Sequence, residues 1–563
     1  MKNSPAEFGS RLPAFRFLPW IALSTIILSY LCLVIRLHPT NFFGLSEDDT
    51  LYFSSAKSIA EGRGYILPSV PGTPPATKYP ILYPWIQSWV WRWKSAFPQN
   101  LSAAVTLNLV FGAAYLIAAF AFLRRLPGFS DTVALVLTAG CALNPRVLFF
   151  SANLMSDIPF AALALGACIA ASRANEKEAG PGATVFCGIL TGLSILIRAL
   201  GIPIAVGLIV AIALRSGWRK AATLAACVLP FMVALFLRTI LLVPKAPSTT
   251  ASSCSDSWRM TWLYYTSYGG FWRADVLSHG VFWQTVRNDF LAVLIQPASY
   301  FVKASYLRPP VFALVLFVIL SVLAIRGGVR LVRSARWQPI HIALGFYLLP
   351  ILAWDYGVMD RFLLPFLPLI FAGVWREFQH VILQVRLVPR GKGRAEVAIV
   401  ACFFCVAGAA LLYGIGASWS GEIRDIARES ESRAALLTEK REAYAWLKEN
   451  SARDAMAIAY EDASMFLYSG RQAIRPVIFS AAGVNRPDVL NSELACIVSS
   501  AEAIHAKYWV VSDDDFGSEW EPAKSRARAK EQEIEQRLSP LFRSEQGKVR
   551  VYKLDSMGQP VLF

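Results

Sequence analysis

The chain has 563 residues, of which 55% are hydrophobic and only 17% charged, and it carries a formal net charge of +16. A soluble globular protein has about 25% charged residues, so a polytopic membrane protein is implied instead. The 55 Lys and Arg are split among many loops rather than gathered on one face, which argues against nucleic acid as a partner.

In chain order, the first apolar run covers 17–35 between Arg16 and Arg36. At 1.5 Å per residue it reaches about 28 Å, enough to span a bilayer. No small-residue cleavage site follows, so an uncleaved anchor is expected. Further runs lie at 103–123, 132–143, 158–171, 183–197, 202–214, 221–243, 310–325, 340–354, 362–374 and 397–417, making eleven expected spans. Several are short and need flanking residues to cross. The stretch 183–214 would be about 48 Å long as one helix. Arg198 and the Gly201-Ile-Pro203 break divide it into two helices with a tight turn. Arg238, near the end of the seventh run, is expected to snorkel.

Orientation follows from Lys and Arg. With the N-terminus in the cytoplasm, nineteen of them fall on short inner segments: Lys2, Arg11, Arg16; Arg124, Arg125; Arg173, Lys177; Arg215, Arg219, Lys220; Arg326, Arg330, Arg333, Arg336; and Arg376, Arg386, Arg390, Lys392, Arg394. That density is roughly threefold that of the longer outer loops. Eleven crossings then place residues 419–563 outside an inner or plasma membrane. The expected division is a membrane domain, 1–418, with its first outer loop at 37–102, and an extracytoplasmic α/β domain, 419–563. In the latter, MAIAY, KYWVVSD and KVRVYKL read as strands, and REAYAWLKEN, DASMFLYSGR and EPAKSRARAKEQEIEQRL as helices. Of nine cysteines, only Cys254 and Cys496 face outside in this topology, where they could pair. The five histidines are scattered, so a zinc site of the usual spacing is not supported.

The first outer loop carries Glu47-Asp48-Asp49 beside the bilayer, an expensive place for carboxylates that do nothing. Their plain reading is a capping box with Ser46 as N-cap and Asp49 three residues on. Lys78 follows in a Pro- and aromatic-rich stretch, either as an interfacial anchor or as a point charge for a phosphate. Asp157 opens the fourth run, an N-cap-like place. Arg198 and Arg361 lie at outer ends of runs, suited to snorkelling or to clamping a phosphate; Asp360 is placed to pair with Arg361. Glu461-Asp462 and Asp513-Asp514-Asp515 read as solvated turns. The segment SSCSDSWRMTWLYYTSYGGFW offers aromatic faces for a sugar or for the membrane interface.

These motifs together resemble the lipid-dependent glycosyltransferases of the GT-C fold. The nearest in pattern are the dolichyl-phosphate-mannose protein mannosyltransferases and the bacterial lipid A aminoarabinose or galacturonic acid transferases. An acidic pair, two residues and Tyr are matched by Asp48-Asp49-Thr-Leu-Tyr52. A Gly-x-Gly-Tyr-like turn is matched by Gly62-Arg63-Gly64-Tyr65, and a Lys-Pro-Pro-like segment by Lys78-Tyr79-Pro80. Asp157 matches the second acid, and Arg361-Phe-Leu-Leu-Pro365 the late arginine motif. The family's pair often ends in Glu, and here it ends in Asp49.

The resemblance implies an inverting transfer from a polyprenyl (dolichyl-type) phosphate-linked sugar to the hydroxyl of a glycan, lipid or protein acceptor. Asp48 would act as general base, with Asp157 orienting the acceptor or steadying the oxocarbenium charge. Lys78 and Arg361, with Arg198, would stabilise the leaving phosphate, and Tyr52 and Tyr79 would contact substrate. Asp49 would bind acceptor, or a divalent cation as the one candidate cofactor. A transporter or flippase for lipid-linked sugars, or a non-catalytic binder of them, is the alternative. Internal repeats and mid-membrane charges, usual in transporters, are not evident.

Overall fold

The computed structural model describes residues 14–245, 254–334, 338–354, 356, 360–386 and 394–554. Lys2, Arg11, Arg336, Arg390 and Lys392 of the inner segments, and Ser252 and Ser253 of the aromatic segment, lie outside the described residues. The first half is helical throughout: α1 (Ala14–Arg36), α2 (Asp48–Ala60), α3 (Leu82–Trp93), α4 (Leu101–Leu123), α5 (Asp131–Leu143), α6 (Pro145–Ala152), α7 (Asp157–Ala174), α8 (Pro181–Ile197), α9 (Gly201–Ser216) and α10 (Trp218–Leu241). Then come α11 (Ser255–Thr266), α12 (Tyr268–Trp272), α13 (Phe282–Ser299), α14 (Pro310–Ser334), α15 (Pro339–Ile351), α16 (Leu367–Arg386) and α17 (Arg394–Asn450).

Each of the eleven expected runs lies in or overlaps a helix, but fewer are long enough to cross a membrane. Among the described residues, five helices qualify by length and composition (α1 from Phe17, α4, α7, α10 and α14), or six if α5 and α6, bent by 54°, form one span. Helices α8, α9 and α15 are apolar but shorter. The stretch 183–214 is indeed two helices, broken at 198–200. A single 57-residue helix, α17, runs through the position expected to part the two domains.

Small residues bring helices together, as membrane packing favours. A Cβ on Gly327 of α14 would lie 1.8 Å from the Gly373 carbonyl oxygen of α16, so only glycine permits that crossing. Arg238 does not snorkel. Its guanidinium donates to the carbonyls of Tyr65 (2.9 Å) and Ala76 (3.0 Å) and stacks on the Tyr65 ring. This clamps the first loop where its two arms meet, since the Ala76 amide also donates to the Tyr65 carbonyl (3.2 Å).

After α17, a five-stranded mixed sheet forms in the order β2-β1-β3-β5-β4: β1 (Met456–Ala459), β2 (Gln472–Ile474), β3 (Tyr508–Ser512), β4 (Pro540–Arg543) and β5 (Val549–Lys553). Strand β1 pairs in parallel with β2 and β3, whereas β5 pairs antiparallel with β3 and β4. The three expected strands are β1, β3 and β5; β2 and β4 are additional, short and weakly patterned. Four helices flank the sheet: α18 (Asp462–Ser469), α19 (Pro487–Ala495), α20 (Ser500–Ala503) and α21 (Ala523–Glu535). Helix α18 stops at Gly470, whose φ of 73° suits glycine as a helix terminator.

Cys254 and Cys496 form a disulfide, tying the segment before α11 to the sheet domain.

Candidate active site

Helix α2 starts without the capping box of the plain reading. Its N-cap is Glu47, at φ 46° and ψ −51°, with no side-chain cap bond. That left-handed turn sends the three acids in different directions. Glu47 accepts from the Tyr264 hydroxyl (2.8 Å) and pairs with Arg475 (3.0 Å). Asp48 accepts from the Tyr79 hydroxyl and pairs with Arg361 (3.2 Å). Asp49 turns inward, fully buried, and accepts from the Gly44 (2.9 Å) and Thr50 (2.8 Å) amides.

Electrostatics separates the trio further. Burial alone would raise the Asp48 pKa, but Arg361, Lys78, the Tyr79 hydroxyl and Arg198 together hold it below the ordinary carboxylate value. Glu47 is raised, burial outweighing Arg475 and Lys78. Burial lifts Asp49 to about 7 despite its two backbone donors.

Asp48 opens onto a cavity of about 750 Å3 between the helical bundle and the sheet domain. Of the expected site residues, Asp48, Lys78, Tyr79 and Arg361 line it. The Lys78 ammonium lies 3.6 Å from the Tyr264 ring centroid, 5.0 Å from that of Tyr79 and 5.2 Å from that of Tyr268. Cation–π contacts of this kind hold an ammonium in place.

The other expected residues stand behind this wall. Asp157 pairs with Arg198 at 2.7 Å, and its second oxygen is buried with no hydrogen-bond partner among the described residues. Arg198 also reaches Ser156 (3.4 Å), whose hydroxyl meets that of Tyr52 (3.2 Å). The Tyr52 ring packs edge-on against Tyr79. Arg361 is within electrostatic reach of Asp157 as well as Asp48, so it links the two carboxylates. Asp49 does not line the cavity. Asp360 pairs not with Arg361 but with Arg146, at 2.5 Å.

A divalent cation does not fit this donor set. Asp49 spends its oxygens on backbone amides and Asp48 on Tyr79 and Arg361. Among the described residues, no group of three His, Cys, Asp or Glu could hold a metal.

The far wall of the cavity was not foreseen. It includes Arg433, Tyr460, Glu461, Arg475, Asp514 and Glu519, from α17 and the sheet domain. Glu461 and Asp514 are not solvated turns: Lys440 and Arg433 bridge both, at 2.7–3.1 Å. Asp462 and Asp515 are buried too. Arg475 stacks on Tyr460 at 3.8 Å while reaching Glu47. Beyond those two acidic clusters, no local motif marks these residues. Tyr264 and Tyr268 do lie in the aromatic segment noted above, and aromatic density was their only signal.

Neither protein-family profiles nor curated protein sequences match the chain. Solved structures do. The apo oligosaccharyltransferase of Archaeoglobus fulgidus superposes with a TM-score of 0.53 and 14% identity, over 89% of this chain and 70% of that one. The AglB oligosaccharyltransferase of the same organism, in complex with an inhibitory peptide and a dolichol-phosphate, gives 0.53 and 13%, over 97% of this chain and 75% of that one. ArnT from Cupriavidus metallidurans bound to undecaprenyl phosphate overlaps over 94% of this chain and 99% of that one, at 12% identity and a TM-score of 0.45 that is too low to bear on the assignment. With identities this low the likeness speaks for architecture alone: the chain shares the overall fold of these two oligosaccharyltransferase structures.

Proposed function

We propose that the chain is an integral-membrane inverting glycosyltransferase that moves a sugar from a polyprenyl phosphate to an acceptor hydroxyl on the extracytoplasmic face. The observation that carries this reading is the placement of Asp48 against Arg361, Tyr79 and the caged Lys78 in one cavity. Inversion needs a base on the acceptor side and charge stabilisation on the leaving side, and this set supplies both. The solved relative holding dolichol-phosphate supports a lipid phosphate as the donor's leaving group.

In the mechanism proposed, the donor phosphate seats on Lys78 and Arg361. Drawing Arg361 toward the phosphate loosens its hold on Asp48, whose depressed basicity then recovers as the acceptor arrives. Asp48 takes the acceptor proton, the hydroxyl oxygen attacks the anomeric carbon, and the bond to the lipid phosphate breaks. Asp157 and Arg198 keep Arg361 oriented. The aromatic and aliphatic lining, Phe149, Phe150, Met155 and Trp354, takes the first prenyl units. The acid-rich wall of Glu429, Glu461 and Glu519 faces the acceptor's hydroxyls. Topologically, the proposal includes eleven crossings, a cytoplasmic N-terminus, and separate membrane (1–418) and extracytoplasmic (419–563) domains.

The test is transfer of labelled sugar from polyprenyl phosphate by purified protein. Asp48→Asn is expected to lower the rate about 10²–10⁴-fold, the usual worth of a general base. Wild-type rates in that variant would exclude Asp48 as the base, and donor binding without any transfer by wild type would favour the binder or flippase reading.

A further inference from the structure

A second hollow, of about 790 Å3, lies at the other end of the bundle, between the C-terminal halves of α14 and α16 and the turn after α4. Arg361 precedes the N-terminus of α16, whereas Arg376 and Leu383 lie nine and sixteen residues along that helix. At 1.5 Å per residue that separates the two cavities by roughly 15–25 Å. Among the described residues, the hollow is lined by Arg330, Arg333, Arg376 and His380, and by no carboxylate.

Glu377, the acid next to Arg376 in sequence, is buried and already doubly engaged, by Arg330 and by Arg326 at 3.1 Å. Among the described residues, neither Arg333 nor Arg376 has a carboxylate within pairing distance. A cation in the last turn complements the helix dipole, which accounts for Arg333 at the end of α14. It does not account for Arg376, which stands ten residues before the end of α16 and borders the same hollow.

The rim carries Ile382 and the exposed Leu383. Helix α14 is long and apolar enough to cross a membrane, so its terminal turn sits at headgroup depth. A concave cluster of arginines between helices at that depth, edged by apolar side chains, matches an amphiphile with a phosphate head. We propose that this hollow binds the phosphate headgroup of an anionic membrane lipid, independently of the cavity around Asp48.

Native mass spectrometry of the purified full chain, offered phosphatidylglycerol or phosphatidylcholine in detergent, reads the lipid retained. Wild type is expected to retain phosphatidylglycerol at least about tenfold better, and the double variant Arg333→Ala/Arg376→Ala to lose that preference. Ser334→Glu, at an exposed lining position, introduces a repelling charge without removing packing and is expected to act likewise, so the test stands if the double variant misfolds. Equal retention of the two lipids by wild type, or an undiminished preference in both variants, would overturn the site. Displacement of phosphatidylglycerol by millimolar inorganic phosphate would overturn the lipid assignment in favour of a free-phosphate site.

Discussion

Three adjacent acids, Glu47, Asp48 and Asp49, experience three different environments. Asp48 is held ionised by cations and faces the cavity; Asp49 is buried against amides and lifted to about 7 from an ordinary 3.8. An acid whose pKa is higher folded than unfolded keeps its proton longer in the folded state. The folded protein therefore binds more protons between about pH 4 and 7, and stability falls as pH rises through that window. Asp49→Asn stays neutral throughout, so the fall in apparent melting temperature between pH 5 and 8 is expected to be smaller than in wild type. Asp462 and Glu493, each also lifted to about 7 by burial, leave a residual slope. A slope as steep as that of wild type would remove Asp49 as a titrating group. Asp49→Asn is further expected to keep most transfer activity where Asp48→Asn loses it.

Between elements, the first loop and the sheet domain are joined through buried charge. Glu47, just before α2, meets Arg475, just after β2. Gly44, at φ +90°, lies so close to the domain that a Cβ there would stand 2.9 Å from a Glu461 carboxylate oxygen. Removing one partner of a buried pair leaves an uncompensated charge and costs about 3–5 kcal/mol. Arg475→Met is therefore expected to destabilise the protein by about that much. The double variant Glu47→Gln/Arg475→Met should recover more than half of the loss, read as thermal stability in a double-mutant cycle. Strictly additive losses would show that the pair does not couple loop to domain.

For the whole molecule, loops at opposite ends of the helices form two separate clusters. Residues near positions 48, 78, 264, 361 and 475 meet around the first cavity, and those near 128, 333 and 376 around the second. The disulfide between Cys254 and Cys496 belongs with the first cluster, and seven cysteines remain free among nine in the chain. Alkylation of the denatured native protein is expected to modify seven thiols without reductant and nine after reduction. Nine in both conditions would mean that the bridge does not form.

Much of this architecture was legible in the residues. Apolar runs located the helices because each must bury or expose a whole face to lipid, and the GIP break divided α8 from α9 because proline and glycine interrupt a helix locally. Asp48, Lys78 and Arg361 were identifiable as charged groups in places where charge is costly, whereas Tyr79 came only with the resemblance. Not legible was anything set by contacts between distant segments: the opposite orientations of Asp48 and Asp49, the clamp made by Arg238, the cage around Lys78, and the wall built from Arg433, Tyr460, Arg475 and Glu519. Strands β2 and β4 escaped for a related reason. Each is only three or four residues long and owes its form to the ladder beside it, not to its own pattern. Hydropathy and spacing act along the chain, and so settle where helices and candidate charges fall. Which charges share a cavity depends on tertiary packing, since a carboxylate's neighbours, burial and basicity come from residues hundreds of positions away.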